Sequence, residues 1–336
     1  MTSVTDKQHK YSNPVIATLT GIRDLFRKKS GSLVLHDEDR LDGRKVLIDG
    51  ASSGLGLATA IRLAEQGAHV IMACRSGIPE KGELVKKKSG SDKVDMVHVD
   101  FTDFDSVKEM IRQVRERFGT VEIYISNAAV VTRGSRETKY GQDEMFQVNY
   151  LAKFITVGQL IREGVIAGSG TDLPRIIFVT SESHRDAEAL RWEEFGKYKP
   201  YGVNRTVENY GYYKLLLVTF VNELSRRLNP PGKVNYSVLA LCPGPVNSNI
   251  AREAPVLFKP ILRFVFWIFF RSPVKASEPV IYHACSKEQE GKALDYIFLM
   301  NRKEMDAKAT DPDNGKRLWE LSEELAAKLG FILQHR

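Results

Sequence analysis

The sequence predicts an α/β fold, a doubly wound parallel sheet of about seven strands with helices on both faces. Three observations carry that expectation. From Leu41 onward, apolar runs of strand length alternate with amphipathic stretches of helix length. The first run feeds a glycine-punctuated turn and then a helical pattern, the arrangement of a strand–turn–helix unit. No Pro/Gly/Ser-rich linker divides the chain, so one domain fits its 336 residues better than two.

Taken in order, strands are expected at Val46 to Asp49, His69 to Ala73, Met96 to Val99, Ile123 to Ser126, Ile176 to Thr180, Tyr236 to Leu241 and Tyr296 to Met300. Helical spacing falls between them at Leu57 to Gln66, Phe104 to Phe118, Glu144 to Ile161 and Tyr212 to Leu228. The domain runs from about 41 to 305, after an N-terminal extension of residues 1–40 and before a C-terminal helical tail, 306–336. Within the extension, Val15 to Phe26 has helical apolar spacing and is followed by Arg27-Lys-Lys29. It reads either as a helix on the domain's own surface or as an interfacial membrane helix.

Composition narrows the function classes. The hydrophobic fraction of 43% and charged fraction of 27% are those of a soluble globular protein able to bury a full core. The net charge of +7 is spread along the chain with no basic tract interleaved with aromatics, which argues against a nucleic-acid partner. Cys74, Cys242 and Cys285 are odd in number and far apart, so neither a disulfide framework nor a metal site is expected. No secretory signal is evident at the N-terminus, and a reducing, cytoplasmic setting is the expectation.

The chemistry is concentrated where strands end, because ligands of such sheets sit at the carboxyl ends of the strands. Gly50, Gly54 and Gly56, with Ser52, Ser53 and Leu55 between them, join the first strand to its helix. Gly50 can make a turn closed to residues with a Cβ, Gly54 lets backbone approach a pyrophosphate, and Gly56 lets helix and strand pack closely. The helix then offers unpaired N–H groups and a positive dipole end to the phosphates. After the second strand, Arg75 with Ser76 suits a ribose 2′-phosphate where an Asp or Glu would suit a free hydroxyl. Asp100 and Phe101 follow the third strand and can bracket an adenine.

Tyr210 and Lys214 stand four residues apart, hence on one helix face, and an ammonium there stabilises a phenolate and lowers its pKa. Ser181 ends the fifth strand, placed to hydrogen-bond a substrate oxygen; Ser183 competes for that role. His184 has no metal cluster or nucleophile beside it and reads as a loop or pocket-wall residue.

These motifs, with Ser126-Asn127-Ala128-Ala129, Asn149 in Phe-Gln-Val-Asn-Tyr, and Pro243-Gly244, coincide in order and spacing. Together the stretch 41–305 resembles a Rossmann-type short-chain dehydrogenase/reductase. The resemblance implies a tetrad: Asn149 holding a water relay through its helix, Ser181 orienting a carbonyl, Tyr210 as acid/base, and Lys214 binding ribose and tuning Tyr210. It also implies NADP(H) contacts from the glycine turn, Asn127, Ala128, Pro243, Gly244 and Val246. Ala-Cys-Arg75, Ser181-Glu-Ser-His-Arg, the long stretch from Ser181 to Tyr210 and Arg317-Leu-Trp-Glu-Leu-Ser-Glu-Glu resemble the retinol dehydrogenase branch and the WW-domain oxidoreductase, though no WW domain is present. The run Gly50 to Ala60 with His69-Val-Ile-Met-Ala-Cys-Arg75 is as similar to light-dependent protochlorophyllide reductase, but that family carries a cysteine after its Pro-Gly where this chain has Pro245. Two residues depart from the family pattern: Asp49 stands for its Thr, and Ser126 for the first Asn of Asn-Asn-Ala-Gly. Asp49 can accept hydrogen bonds from the fourth-strand turn, yet a carboxylate near a pyrophosphate is electrostatically unwelcome and puts cofactor affinity in question.

The expected function is NADP(H)-dependent interconversion of a lipophilic alcohol and its aldehyde or ketone. A catalytically silent nucleotide-binding scaffold and a C=C reductase are the alternatives. The partner classes left open are a membrane surface and a second copy of the chain. The apolar segment Val256 to Phe270, in a lid expected at about 245–275, is either buried core or a lipophilic pocket mouth that dips into a membrane, helped by Lys259, Arg263 and Arg271.

Overall fold

Each strand of the sheet sends alternate side chains to opposite faces, and that alternation builds two cores. In this computed structural model, which describes residues 33–170, 172–245 and 271–332, the strands are β1 (Lys45–Asp49), β2 (His69–Cys74), β3 (Val94–His98), β4 (Ile123–Ser126), β5 (Arg175–Val179), β6 (Ser237–Cys242), β7 (Leu294–Phe298) and β8 (Asn301–Arg302). Leu47, Tyr124, Ile176, Phe178 and Val238 face one core, while Val46, Ile48, Ile123, Ile125, Ile177 and Leu239 face the other.

The spatial order is β3-β2-β1-β4-β5-β6-β7-β8. The chain builds outward from β1 to one edge, then returns and builds outward from β4, so the order reverses between β1 and β4. All pairings are parallel except the last: β8 is a two-residue antiparallel edge strand beside β7, which the sequence reading did not include. Seven parallel strands and this short addition make eight.

Helices α1 (Gly54–Glu65), α2 (Glu80–Ser89) and α7 (Pro273–Cys285) cover one face. The other carries α3 (Phe104–Phe118), α4 (Glu144–Phe146), α5 (Ala152–Arg162), α6 (Thr206–Leu228), α8 (Ala307–Thr310) and α9 (Pro312–Lys328). Helix α3 has the expected bounds. Asp103 caps its first turn by accepting from the Asp105 N–H, and Gly119, at φ +70°, ends it.

Two helices differ from the periodicity. The stretch expected as one helix from Glu144 to Ile161 is α4 and α5 joined by a π-helical turn, Gln147–Leu151, because one turn takes an extra residue. Helix α6 begins at Thr206 rather than Tyr212, so its first turns are polar Thr-Val-Glu-Asn without an apolar stripe. Helix α9 packs on α5 and α6: Trp319 lies 5.1 Å ring to ring from Phe154 and 5.9 Å from Phe220. Among the described residues no helix is long and apolar enough to cross a membrane. The expectations for residues 15–26 and 256–270 lie outside the described residues.

Candidate active site

The carboxyl ends of β1, β4, β5 and β6 converge at the reversal in strand order. Gly50 follows β1 at φ +64°, and a Cβ there would stand 2.8 Å from the Ala128 Cα. A Cβ on Gly56 would lie 2.3 Å from the Gly50 carbonyl oxygen and 2.6 Å from Asn127 Nδ2. Only hydrogen fits at either position. Gly54 opens α1, and Ser53 before it does not cap the helix with its side chain, which leaves the first-turn N–H groups for a ligand. Ser52 is half-buried and Leu55 buried in the same turn. Asn127 braces the turn by donating from Nδ2 to the carbonyls of Asp49 (3.0 Å) and Gly50 (3.1 Å). These residues could cradle a pyrophosphate.

Arg75 and Ser76 are exposed beyond β2, and the Arg75 guanidinium forms no ion pair among the described residues. Asp100 turns its carboxylate inward to the Thr102 N–H (2.9 Å) and hydroxyl (2.7 Å). The Phe101 carbonyl accepts from Gln147 Nε2 at 2.9 Å, tying the loop after β3 to the π turn. Pro243 and Gly244 follow β6, and Val246 lies outside the described residues.

On the catalytic side, Ser181 precedes a 3₁₀ turn (Glu182–Arg185); its Oγ accepts from the Ser183 N–H (3.3 Å) and hydroxyl (2.8 Å). Ser183 therefore supports Ser181, and Ser181 is the hydroxyl beside Tyr210. Burial pushes the Tyr210 phenol well above its ordinary value, the nearby Cys242 adds to that, and the Ser181 hydroxyl acts in the other direction. Lys214 Nζ lies 5.6 Å from the Tyr210 ring centroid and donates to the Val179 carbonyl at 3.2 Å. Burial brings the Lys214 ammonium down to about 7, with the Lys153 charge contributing.

Asn149 sits in the π turn, wholly buried, and grips Val130: its Oδ1 accepts from the Val130 N–H and its Nδ2 donates to the Val130 carbonyl, both at 2.9 Å. The amide thus fixes the chain beyond β4. His184 donates from Nδ1 to the Ser181 carbonyl (2.7 Å) and accepts the Asp306 N–H at Nε2 (3.4 Å). Both nitrogens are occupied by backbone and burial lowers its pKa, so it is a neutral loop brace.

A family model described as short chain dehydrogenase matches residues 44–191. Retinol dehydrogenase 14 of Mus musculus is 31% identical over 301 residues, covering 85% of this chain and 87% of its own length. The chain belongs to the short-chain dehydrogenase/reductase family. Within it, the retinol dehydrogenase branch is its place. Polyprenol dehydrogenase of Homo sapiens is 27% identical over 263 residues, covering 78% of each chain. The solved structure of a short-chain dehydrogenase/reductase from Serratia marcescens has a TM-score of 0.57 at 22% identity, covering 81% of this chain and 99% of its own, a likeness of fold.

Against the family pattern, Asp49 is buried and faces away from the phosphate turn. Its Oδ2 accepts the Tyr124 hydroxyl at 2.6 Å, and its Oδ1 accepts the N–H groups of Asn127 (2.7 Å) and Ala128. The accepting role expected of it is the role it has. Sequence reasoning missed Lys153, which is wholly buried on α5 and donates to Ser126 Oγ at 2.9 Å. Its signal was a lysine inside the apolar run Tyr150-Leu-Ala-Lys-Phe-Ile, opposite an aspartate ending an apolar strand.

Proposed function

We propose that this chain is an NADP(H)-dependent oxidoreductase that interconverts a lipophilic alcohol with its aldehyde or ketone. The observation that carries the reading is Tyr210 between the Ser181 hydroxyl and the Lys214 ammonium, at the ends of β5 and β6. The residues present fit the cofactor: an uncapped helix start and a turn with no room for a Cβ would hold its pyrophosphate, and the exposed Arg75 would meet a 2′-phosphate. When bound, NADP(H) supplies or accepts the hydride.

The chain's own residues do the rest. Ser181 would hydrogen-bond the carbonyl oxygen, with its own hydroxyl oriented by Ser183. Tyr210 would give its proton to that oxygen in reduction and take it back in oxidation. A buried phenol resists ionisation, so Lys214 is needed to hold the phenolate. Asn149, through its grip on Val130, would keep the π turn and the chain after β4 in register. The lipophilic substrate class rests on relatives whose names specify retinol and polyprenol.

Purified protein is tested with NADPH and NADH against a retinoid, a steroid, and long and short aldehydes and ketones. NADPH oxidation with apolar carbonyls is the expected result. Binding of NADPH without consumption by any substrate would identify a scaffold instead. Turnover confined to activated C=C bonds would identify the reductase alternative.

A further inference from the structure

We propose that Lys153 is a positioning residue, a buried cation that shares the end of β4 with the buried carboxylate of Asp49, stands behind Lys214 and sets its charge. The inference rests on the role given to Lys214 above. Its starting point is that Lys153 and Asp49 are both fully removed from water. An isolated buried charge is costly enough that the group sheds it by titrating, whereas a compensated one can be kept.

Compensation runs through the end of β4. Lys153 Nζ donates to Ser126 Oγ at 2.9 Å, and the Tyr124 hydroxyl donates to Asp49 Oδ2 at 2.6 Å. Tyr124 and Ser126 are two residues apart on one strand, so their side chains share a face. The ammonium and the carboxylate are thus each hydrogen-bonded to a hydroxyl on the same face of β4. The other oxygen of Asp49 is held by the Asn127 and Ala128 N–H groups, so the anion is satisfied on both sides. Asp49 favours the charged form of Lys153, opposing its burial. Asp49 and Ser126 are also the two positions at which the chain leaves the family's Thr and Asn, and they are the two that compensate Lys153.

Lys214 is the neighbour that feels this pair. Lys214 donates to the Val179 carbonyl of β5, one residue beyond Phe178, and Phe178 pairs across the sheet with the Ser126 that holds Lys153, so the two ammonium groups sit at adjoining strand ends. Asp49 from β1, Cys242 from β6 and the Tyr210 ring on its own helix are the other groups that act on it. Lys153 pushes the Lys214 ammonium down, while Asp49 and Cys242 pull it up. A lysine that merely filled space would leave the titration of Lys214 where it is.

The test uses the whole chain without cofactor. Asp49→Asn keeps an acceptor for both N–H groups and a donor for Tyr124, whose hydroxyl can turn, so it removes charge alone. Lys153→Met keeps the buried stem. Urea unfolding of the wild type, both single variants and the double variant gives the first readout. Each single variant is expected to lower the midpoint, and the double variant to lose less than the two losses added. The second readout is the Cε resonance of Lys214 in [13C]lysine-labelled protein, assigned by its disappearance in Lys214→Arg. It is expected to titrate near 7 in the wild type, about one unit higher in Lys153→Met, and lower in Asp49→Asn. Additive losses, a wild-type Lys214 titrating in the ordinary lysine range, or a titration that Lys153→Met leaves unmoved would each overturn the proposal. Should Lys153→Met not fold, Lys153→Gln, which keeps a donor for Ser126, takes its place: an upward move of the Lys214 resonance supports the proposal and an unmoved one overturns it. Neither readout needs turnover, so a protein inactive on every carbonyl would sink the proposed function without touching this result.

Discussion

A phenol buried between Ser181 and Cys242 is a reluctant acid, and Lys214 supplies the opposing charge only while it stays protonated. Tyr210→Phe removes the exchangeable proton but keeps the ring, so turnover should fall at least about a hundredfold while NADPH still binds. Unchanged turnover would mean that another group moves the proton. The ammonium of Lys214, held near 7, is present below that pH and lost above it. For carbonyl reduction, kcat/KM, which reports the free enzyme, should therefore decline as pH rises through about 7; a profile flat to pH 9 would contradict the role given to Lys214. Arg75→Ala should weaken NADPH much more than NADH, since only NADPH offers the 2′-phosphate for a charge-assisted pair. Titration calorimetry with both cofactors reads the difference, and equal losses would show that Arg75 does not distinguish them.

At the scale of elements, legibility followed the physics of each signal. The five inner strands, β1, β2, β4, β5 and β6, are buried on both faces and read as apolar runs, while β3 and β7 mix apolar with polar residues, and all seven were readable to within a few residues at each end. The glycine turn was readable because only a residue without a Cβ fits against Ala128 and the Gly50 carbonyl. The π turn at Gln147–Leu151 was not, since its residues are buried all round and leave no periodicity to break. Lys153 escaped for a related reason: one lysine in an apolar helix carries no partner in its local sequence, and its partners came from β4 and β1. Arg175 is a further case, a charged residue that opens a strand and is buried. Its guanidinium donates to the His283 and Ala284 carbonyls, 3.1 and 2.7 Å away, at the C-terminus of α7. Arg175→Met fills much of the space without those donors and should cost about 2 kcal/mol in urea unfolding. An unshifted midpoint would show that water serves the carbonyls equally well.

The whole molecule depends on a helix made late. Trp319 of α9 is buried against Phe154 and Phe220, and the Arg227 guanidinium lies 4.4 Å from its ring centroid. Phe331 beyond it packs on Phe104, 5.7 Å ring to ring. Trp319→Ala should cost roughly 3–5 kcal/mol, the range for emptying a buried aromatic site, and lower the melting temperature while leaving α1 and its glycine turn intact. A thermal melt matching the wild type would show that α9 sits loosely on the domain.

That placement also bears on how the protein is made. Translation proceeds from the N-terminus at about 5–20 residues per second, so every strand has left the ribosome's catalytic centre before α9 exists. Until then α5 and α6 present Phe154 and Phe220 to solvent or to a chaperone, as a sticky surface awaiting its cover. A chain truncated after β8 would keep every strand and still leave those rings uncovered, a client for holdases and proteases.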